Sequence, residues 1–192
     1  MSSLPRAHEL PKGMSRVLRA AMTIMAAWDS EVSSHGEEVA RDLLALAPNG
    51  HEAAWYWAGL LHDIGKITVD PAILRKCGAL TPQERQSMQH HSLRGAEILQ
   101  SLNAPREVLQ GAMYHHERWD GTGYPYDIRG KQIPIVARVL AVADVYAALT
   151  SDRPYRRAFT PAQAQLEIER NAGTQFDAEI VAQFFERENH VA

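Results

Sequence analysis

The chain of 192 residues contains a single cysteine, Cys77, and has no excess of positive charge. One thiol cannot form a disulfide within the chain, so nothing indicates an oxidising compartment. The 20 lysines and arginines are outnumbered by 23 aspartates and glutamates, giving a net charge of −3. Surfaces that bind nucleic-acid polymers or membranes are usually basic. We therefore expect neither among the partners of this protein.

Long hydrophobic runs are also missing. A membrane-spanning helix needs about 20 predominantly apolar residues, and the longest candidate, 135–149, is interrupted by Arg138 and Asp144. Residues 12–28, KGMSRVLRAAMTIMAAW, join basic residues to a short apolar run, as a signal peptide does. No clear small-residue cleavage site follows them, so an amphipathic helix is the better interpretation. We expect a cytoplasmic protein.

Alternating strand patterns are scarce, and helical periodicity dominates the sequence. The periodicity, together with the positions of proline and glycine, predicts helices over 15–28, 31–47, 51–64, 82–102, 105–116, 134–150 and 161–173, and one after Asp177. Thr81 and Thr160 precede prolines and are typical helix N-caps. We predict an all-α fold, a single helical-bundle domain over residues 15–192, with a loose N-terminal extension over residues 1–14.

Histidines and acids recur in or beside segments whose apolar pattern predicts burial. Eight of them share this placement: Glu31, His35, His62, Asp63, His91, His115, His116 and Asp144. Burying so many ionisable groups singly would cost several kcal/mol apiece. Clustering them around metal ions removes most of that cost, and imidazole with carboxylate is a ligand set for iron, manganese or zinc.

Each of these residues has an alternative interpretation. A lone buried histidine or aspartate is usually a hydrogen-bonded core residue or a helix cap, and Glu31 can be a first-turn acid favoured by the helix dipole. His90, next to His91, can be an exposed residue without a role. The number of such groups at the ends of apolar helices favours metal binding. Cys77 has no partner cysteine, so no thiolate site competes.

Three strings carry a family resemblance: HDIGK (62–66), HHERWDGTGYP (115–125) and ADVYAALTSDRPYR (143–156). They resemble the HD-GYP family, phosphodiesterases of the HD superfamily that cleave cyclic di-GMP. The resemblance extends from about residue 31 to residue 184. It implies a helical bundle with a metal centre between helices, and hydrolysis of cyclic di-GMP to linear pGpG and/or GMP.

The resemblance also implies a ligand set, which is the eight residues named above. Asp63 is expected to bridge two divalent metal ions, and Glu31 allows a third. Iron or manganese is the expected species. Two metal ions close together can share a hydroxide and direct it at phosphorus, while they neutralise the phosphate oxygens.

Substrate contacts follow from the same resemblance. Lys66 is expected to act beside Asp63 in catalysis and to contact phosphate, with a solvated surface lysine as the alternative. Arg153 and Arg156 can each offer a bidentate fork to phosphate or guanine. Arg157, next to them, is expected to be a surface charge.

The glycine-rich loop of the resemblance has its own expected roles. Gly121 and Gly123 allow sharp turns where a side chain would clash. The loop is expected to shape the substrate pocket and to contact diguanylate-cyclase domains. Tyr124 is expected to be an exposed aromatic of this loop, or else to pack the loop onto the bundle. Asp120, a further substrate-loop residue, and Glu117 are expected either to orient the metal-binding histidines or to accept hydrogen bonds within the loop.

The chain departs from the family pattern most notably at Ala147, whereas a departure at Glu38 carries little weight. Ala147 stands where a second aspartate is common, one helical turn after Asp144, and that aspartate would pair with Lys66. Its loss predicts lower turnover or altered substrate choice. Glu38 stands where arginine is usual. Two alternatives therefore stay open: a sensor or scaffold that binds the dinucleotide or a cyclase without turnover, and a hydrolase of another cyclic dinucleotide.

Overall fold

The computed structural model of the chain describes residues 12–152 and 157–188. Within these ranges the chain forms helices joined by turns and loops, without a strand. The α-helices are α1 (Lys12–Trp28), α2 (Ser30–Leu46), α3 (Glu52–Leu61), α4 (Pro71–Leu74), α5 (Pro82–Gln89), α6 (His91–Ser101), α7 (Arg106–Tyr114), α8 (Ile135–Thr150), α9 (Pro161–Arg170) and α10 (Ala178–Glu188). Two 3₁₀ turns cover Ile64–Thr68 and Gly130–Gln132. The predicted all-α fold is confirmed.

The predicted helix caps are found at their positions. Thr81 accepts a hydrogen bond from the Glu84 amide at the start of α5, and Thr160 caps α9 in the same way. Asp177 Oδ1 accepts from the amide of Glu179 at the start of α10. These side chains satisfy amide groups that the first turn of a helix leaves without partners.

Two predicted helices end earlier than their apolar pattern indicated. The helix expected over 51–64 stops at Leu61 and continues as the tighter 3₁₀ turn. The helix expected over 82–102 divides at His90 into α5 and α6. Both changes serve one contact, because the 3₁₀ turn packs its Gly65 directly against the backbone of α6 at His91 and Gly95. Apolar periodicity does not report such a break, since the buried face continues through it.

The predicted loose extension over residues 1–14 can be compared with the structure only in part. Helix α1 begins at Lys12, so residues 12–14 of the expected extension belong to a helix. The remainder of that extension, residues 1–11, lies outside the described residues. The domain boundary at residue 15 stays a prediction.

The core consists of two apolar clusters on either side of α3. One surrounds α8 and α10 and includes Trp55, Val136, Leu140, Ile168 and Phe184. The other joins α1, α3, α6 and α7 and includes Leu18, Met25, Leu61, Leu99 and Val108. Among the described residues, no helix combines the length and apolar character needed to cross a bilayer.

Close approach between α2 and α3 depends on two glycines. A Cβ added to Gly36 would lie 2.8 Å from the carbonyl oxygen of Leu60, and one added to Gly59 would lie 2.5 Å from Ala40 Cα. Both distances are too short for a real side chain, so only glycine permits this spacing. The contact brings His35 on α2 beside His62 at the end of α3, with ring centroids 5.6 Å apart.

Candidate metal centre

Seven of the eight predicted ligands meet at the middle of the bundle in two adjacent clusters. The first cluster consists of Asp63, His91, His115 and His116. The second cluster consists of His35, His62 and Asp144. Within each cluster the candidate ligand atoms all lie within 4.8 Å of one another. This spacing suits side chains that share one metal ion.

Asp63 lies between the two clusters and faces both of them. Its Oδ1 is 3.3 Å from His91 Nε2 and 3.8 Å from His115 Nε2, both in the first cluster. Its Oδ2 is 3.2 Å from Nε2 of His62, in the second cluster. One carboxylate therefore presents one oxygen to each cluster, which is the arrangement of a bridging ligand.

Backbone carbonyl groups orient three of the imidazoles. Nδ1 of His62 lies 2.7 Å from the carbonyl oxygen of Gly59, and Nδ1 of His91 lies 2.6 Å from that of Met88. Nδ1 of His115 lies 3.0 Å from the carbonyl oxygen of Ala112. In each case Nδ1–H donates within its own helical segment, so the lone pair of Nε2 points to the centre. A hydrogen bond of this kind fixes the tautomer of a metal-binding histidine.

The second cluster is held by a hydrogen bond between His35 and Asp144. His35 Nε2 lies 2.7 Å from Asp144 Oδ1, and His62 Nε2 is 3.9 Å from the same oxygen. Burial alone would raise the pKa of Asp144, but the hydrogen bond from His35 and the charge of His62 lower it well below its usual value. Burial would lower the pKa of His62, yet the negative charge of Asp63, 3.2 Å away, raises it on balance. The Asp144 carboxylate is thus ionised, as a metal ligand must be.

Two histidines of the first cluster, His115 and His116, are kept neutral. Burial, together with the neighbouring His116, His62 and His91, lowers the pKa of His115 well below its ordinary value. Burial and the nearby His91 lower the pKa of His116 to about 4. Neutral imidazoles do not have to release a proton before they bind a metal ion.

Two buried atoms support metal binding directly. His62 Nε2 and Asp63 Oδ1 are buried and have no hydrogen-bond partner. Such atoms normally cost free energy unless something satisfies them. Metal ions in the two clusters would satisfy both atoms, and the nitrogen and oxygen donor set suits iron, manganese or zinc. The residues present therefore fit a metal centre.

Glu31 is the one predicted ligand outside the two clusters. It is exposed in the first turn of α2, one turn before His35. Asp29 caps that turn by accepting from the amide of Glu31. The position suits the alternative of a first-turn acid near the positive end of the helix. His90 is likewise exposed, whereas its neighbour His91 is buried.

Lys66 lies at the edge of the centre. Its Nζ is 2.5 Å from Asp63 Oδ2, and its side chain is 25% exposed. It is therefore held beside the proposed ligands and is not a freely solvated lysine. Ala147 is buried within the apolar cluster around α8. Lys66 accordingly takes its position from Asp63 without an acid at residue 147.

Tyr124 is not the exposed aromatic that the sequence predicted, so that prediction is wrong. Its ring is stacked on His116 with a centroid distance of 4.7 Å and an interplanar angle of 29°. Burial, then the charges of Asp63 and Asp144, raise the pKa of its hydroxyl. The loop is thus packed onto the centre through Tyr124, and the exposed aromatic of the loop is Tyr126, at 53%.

Two glycines of the loop are needed for different reasons. Gly121 has a φ of +82°, in the left-handed region that favours glycine. A side chain on Gly123 would overlap the amide of Arg118 and lie 2.6 Å from the carbonyl oxygen of His116. Gly123 therefore allows the loop to fold back tightly over the end of α7.

Glu117 and Asp120 act within the loop, which is the second of the two expected roles. Glu117 is buried, and its Oε1 accepts from the amide of Tyr126 at 2.7 Å. Asp120 accepts from the guanidinium of Arg118 at 3.0 Å and from the hydroxyl of Thr122 at 2.6 Å. The described hydrogen bonds of both acids run to loop residues and not to the metal-binding histidines.

Some features of the site could not be read from the sequence. Arg153 and Arg156 lie outside the described residues, so their predicted substrate contacts stay predictions. The carbonyl groups that orient the histidines have no sequence signal, because every residue carries one. The close contacts at Gly36, Gly59 and Gly65 had a weak signal, namely glycine inside or beside an apolar helix pattern.

Comparison with known proteins agrees with this geometry. A family model described as HD domain matches residues 12–180. The chain is 41% identical over 137 residues to a cyclic di-GMP phosphodiesterase of Thermotoga maritima, covering 70% of this chain and 37% of that protein. It is 37% identical over 171 residues to the 3'3'-cGAMP-specific phosphodiesterase 3 of Vibrio cholerae, covering 86% of this chain and 37% of that protein.

The solved structure of Bd1817, an HDG"Y"P protein from Bdellovibrio bacteriovorus, has the same fold. The TM-score is 0.65 at 18% identity, over 89% of this chain and 60% of that one. The chain spans 37% of the length of each of the two curated relatives named above. Since the HD domain match covers far more than half of the sequence, the chain belongs to the HD domain family and is of the HD-GYP type.

Proposed function

We propose that this chain is a metal-dependent phosphodiesterase that hydrolyses cyclic di-GMP to linear pGpG and/or GMP. The observation that carries the proposal is the placement of Asp63, which presents one carboxylate oxygen to each of two adjacent ligand clusters. The similarity to proteins named cyclic di-GMP phosphodiesterases supports the choice of substrate.

The metal ions would be held by the seven clustered residues, and we infer two ions of iron or manganese. His91, His115 and His116 would hold one ion and His35, His62 and Asp144 the other, with Asp63 between them. When bound, such ions lower the pKa of a coordinated water and neutralise charge on a phosphate group. The exposed position of Glu31 supports two ions over three.

The remaining residues would bind and orient the substrate. Lys66 would contact a phosphate oxygen and balance charge as the bond breaks, and its position next to Asp63 supports this role. Tyr124, held over His116, would form one wall of the substrate site, and Gly123 and Asp120 would shape the loop that carries it. Arg153 and Arg156 would contact phosphate or guanine.

The test is hydrolysis by purified protein loaded with iron or manganese. Incubation with cyclic di-GMP should yield pGpG or GMP by chromatography, and the Asp63→Asn variant should yield neither. Asn keeps the size of the side chain but loses the charge and the second oxygen ligand. Metal-loaded protein that binds cyclic di-GMP tightly without forming product would refute the enzyme and favour the sensor or scaffold.

A second substrate has a specific observation in its favour. A relative that covers 86% of this chain is named a 3'3'-cGAMP-specific phosphodiesterase. Both dinucleotides offer the same phosphodiester linkages and differ in one base, so the metal centre alone does not distinguish them. Equal concentrations of the two substrates in one reaction give the ratio of kcat/KM values directly. A ratio in favour of 3'3'-cGAMP would replace cyclic di-GMP as the proposed substrate.

The predicted contact with diguanylate-cyclase domains would use the outer side of the loop. Tyr126 is available for such a contact, because it is exposed, whereas Tyr124 is stacked on His116.

A further inference from the structure

The segment that carries Tyr124 is closed at its base by backbone hydrogen bonds. We call residues 117–133 the substrate loop. The carbonyl oxygen of Trp119 accepts from the amide of Gly130 at 3.0 Å, which joins the two ends of the loop. The amide of Trp119 donates to Gln175 at 3.0 Å, and the amide of Asp120 donates to Thr174 at 2.9 Å. Trp119 is therefore the neck of the loop, linked to the turn that precedes α10.

Arg138, in the first turn of α8, contacts this neck. Its guanidinium donates to Asp177 Oδ2 at 2.6 Å and to the carbonyl oxygen of Ile133 at 3.0 Å. It also lies 5.8 Å from the centroid of the Trp119 ring, within cation–π range. One side chain thus contacts the neck, the last residue of the loop and the cap of α10.

The pair of Arg138 and Asp177 is largely buried, with side chains 14% and 3% exposed. A buried pair often contributes little net stability compared with apolar residues of the same size. What it supplies is geometry, since the planar guanidinium holds several partners in fixed directions and the ammonium group of lysine does not. Arg138 and Asp144 are the charged residues of an otherwise apolar helix, and the contacts of Arg138 give a physical explanation for its charge at that position.

Tyr124 lies on the same loop as this neck and has an anchor of its own. At the tip of the loop, Tyr124 is tied to the end of α7 by its amide, which donates to the carbonyl oxygen of His116 at 3.2 Å, and by stacking on the His116 ring. A loop anchored at both tip and neck has few conformations left to lose when a ligand binds. Preorganisation of this kind raises affinity by lowering the entropy cost of binding.

We propose that Arg138 and Asp177 are a positioning pair, which fixes the neck of the substrate loop and thereby holds Tyr124 in place to receive the cyclic dinucleotide. The identity of the ligand rests on the proposed function. The positioning role does not, because it concerns the order of the loop itself. Neither residue belongs to the two metal clusters.

The experiment compares Arg138→Met with Arg138→Lys and with a matched control. Arg94→Met removes an arginine from an exposed pair with Glu97, at a distance of 2.8 Å compared with 2.6 Å between Arg138 and Asp177. In Arg138→Met we expect KM for cyclic di-GMP to rise at least about tenfold, as the loss of loop preorganisation predicts, with metal content and kcat nearly unchanged. Arg138→Lys keeps the charge but not the fork, so its KM should lie in between. Arg94→Met should match the wild type.

Amide hydrogen exchange supplies a readout that does not depend on catalysis. The amides of Gly130 and Tyr126 should exchange faster in Arg138→Met, while those of α3 should keep the wild-type rate. Should Arg138→Met fail to fold, Asp177→Asn serves instead, because asparagine can still cap α10. Loop exchange at the wild-type rate would overturn the proposal, and so would a uniform increase across all helices.

The two proposals fail in different ways. A wild-type protein without hydrolysis refutes the proposed function, while faster loop exchange in Arg138→Met still supports the positioning pair. Weaker cyclic di-GMP binding in a direct binding measurement would then replace the KM change. Unchanged KM or binding despite faster loop exchange would show that the pair orders the loop without positioning Tyr124 for the ligand, which would also overturn the proposal.

Discussion

Replacing Gly65 by alanine should separate the two segments that carry Asp63 and His91. The added Cβ would overlap the carbonyl oxygen of His91 and lie 2.5 Å from the amide nitrogen of Gly95. Real Cβ atoms stay at least about 3.0 Å from such atoms, so the 3₁₀ turn and α6 must move apart by at least about 0.5 Å, and the overlap with His91 demands more. Both neighbours are backbone atoms, which cannot rotate away as a flexible side chain would.

The size of the effect follows from that displacement. Overpacking a well-packed interior costs about 1–3 kcal/mol, and a backbone clash belongs at the upper end of that range. For a chain of this length, about 2–4 °C of Tm is lost per kcal/mol, so we expect a decrease of about 6–12 °C. The gap between Asp63 Oδ1 and His91 Nε2, now 3.3 Å, would widen. Metal affinity should fall more than stability does, because ligand geometry tolerates little displacement.

The assay is thermal unfolding together with metal content after dialysis against a weak chelator. Gly78→Ala is the matched control, because a Cβ at Gly78 meets nothing within 4 Å. It should retain the wild-type Tm and metal content. A Gly65→Ala protein with wild-type Tm and full metal content would show that the close packing of the 3₁₀ turn on α6 does not set the site, and our reasoning would be wrong.

Further predictions concern single side chains. His91→Ala should lose at least one metal ion per chain by elemental analysis, whereas His90→Ala, its exposed neighbour, should retain all of them. Lys66→Met should lower kcat without lowering metal content, since Lys66 lies beside Asp63 but offers no ligand atom. Ala147→Asp should lower Tm, because it places a carboxylate in an apolar cluster. The hydrogen bonds from Arg118 and Thr122 lower the pKa of Asp120 to about 2. Asp120 should therefore stabilise the fold above its unfolded pKa of about 3.9, and the advantage over Asp120→Asn, measured by urea unfolding, should vanish as the pH falls through about 2.

The sequence predicted burial at the site correctly where candidate metal-binding side chains lie in segments whose apolar pattern indicates it. Burial of His62, His91 and His115 follows from their place in or beside segments with an apolar pattern, and all three are buried. Glu31 shows the limit of the same pattern. It shares a helix spacing with His35, but it lies in the first turn of α2, where a solvated carboxylate is stable without a metal ion.

Distances between helices could not be predicted from the sequence, because they depend on which backbone atoms pack against each other. The separation of the ligands into two clusters is set by backbone contacts at Gly59 and Gly65, and a glycine in an apolar helix does not reveal what packs against it. The break at His90 was hidden for a similar reason, since it changes the direction of the backbone but leaves the apolar face intact.

Metal binding and substrate binding are built from different parts of this fold, and they should therefore be separable by substitution. The metal ligands stand on helices whose spacing depends on glycine contacts, and their imidazoles are oriented by carbonyl groups that no side-chain substitution removes. Tyr124 instead depends on a loop whose neck is held by Arg138 and Asp177. It follows that Gly65→Ala should reduce metal content first. Arg138→Met should instead weaken binding of the cyclic dinucleotide in a fully metal-loaded protein. If either variant lost metal binding and dinucleotide binding in parallel, the loop and the metal centre would form one cooperative unit.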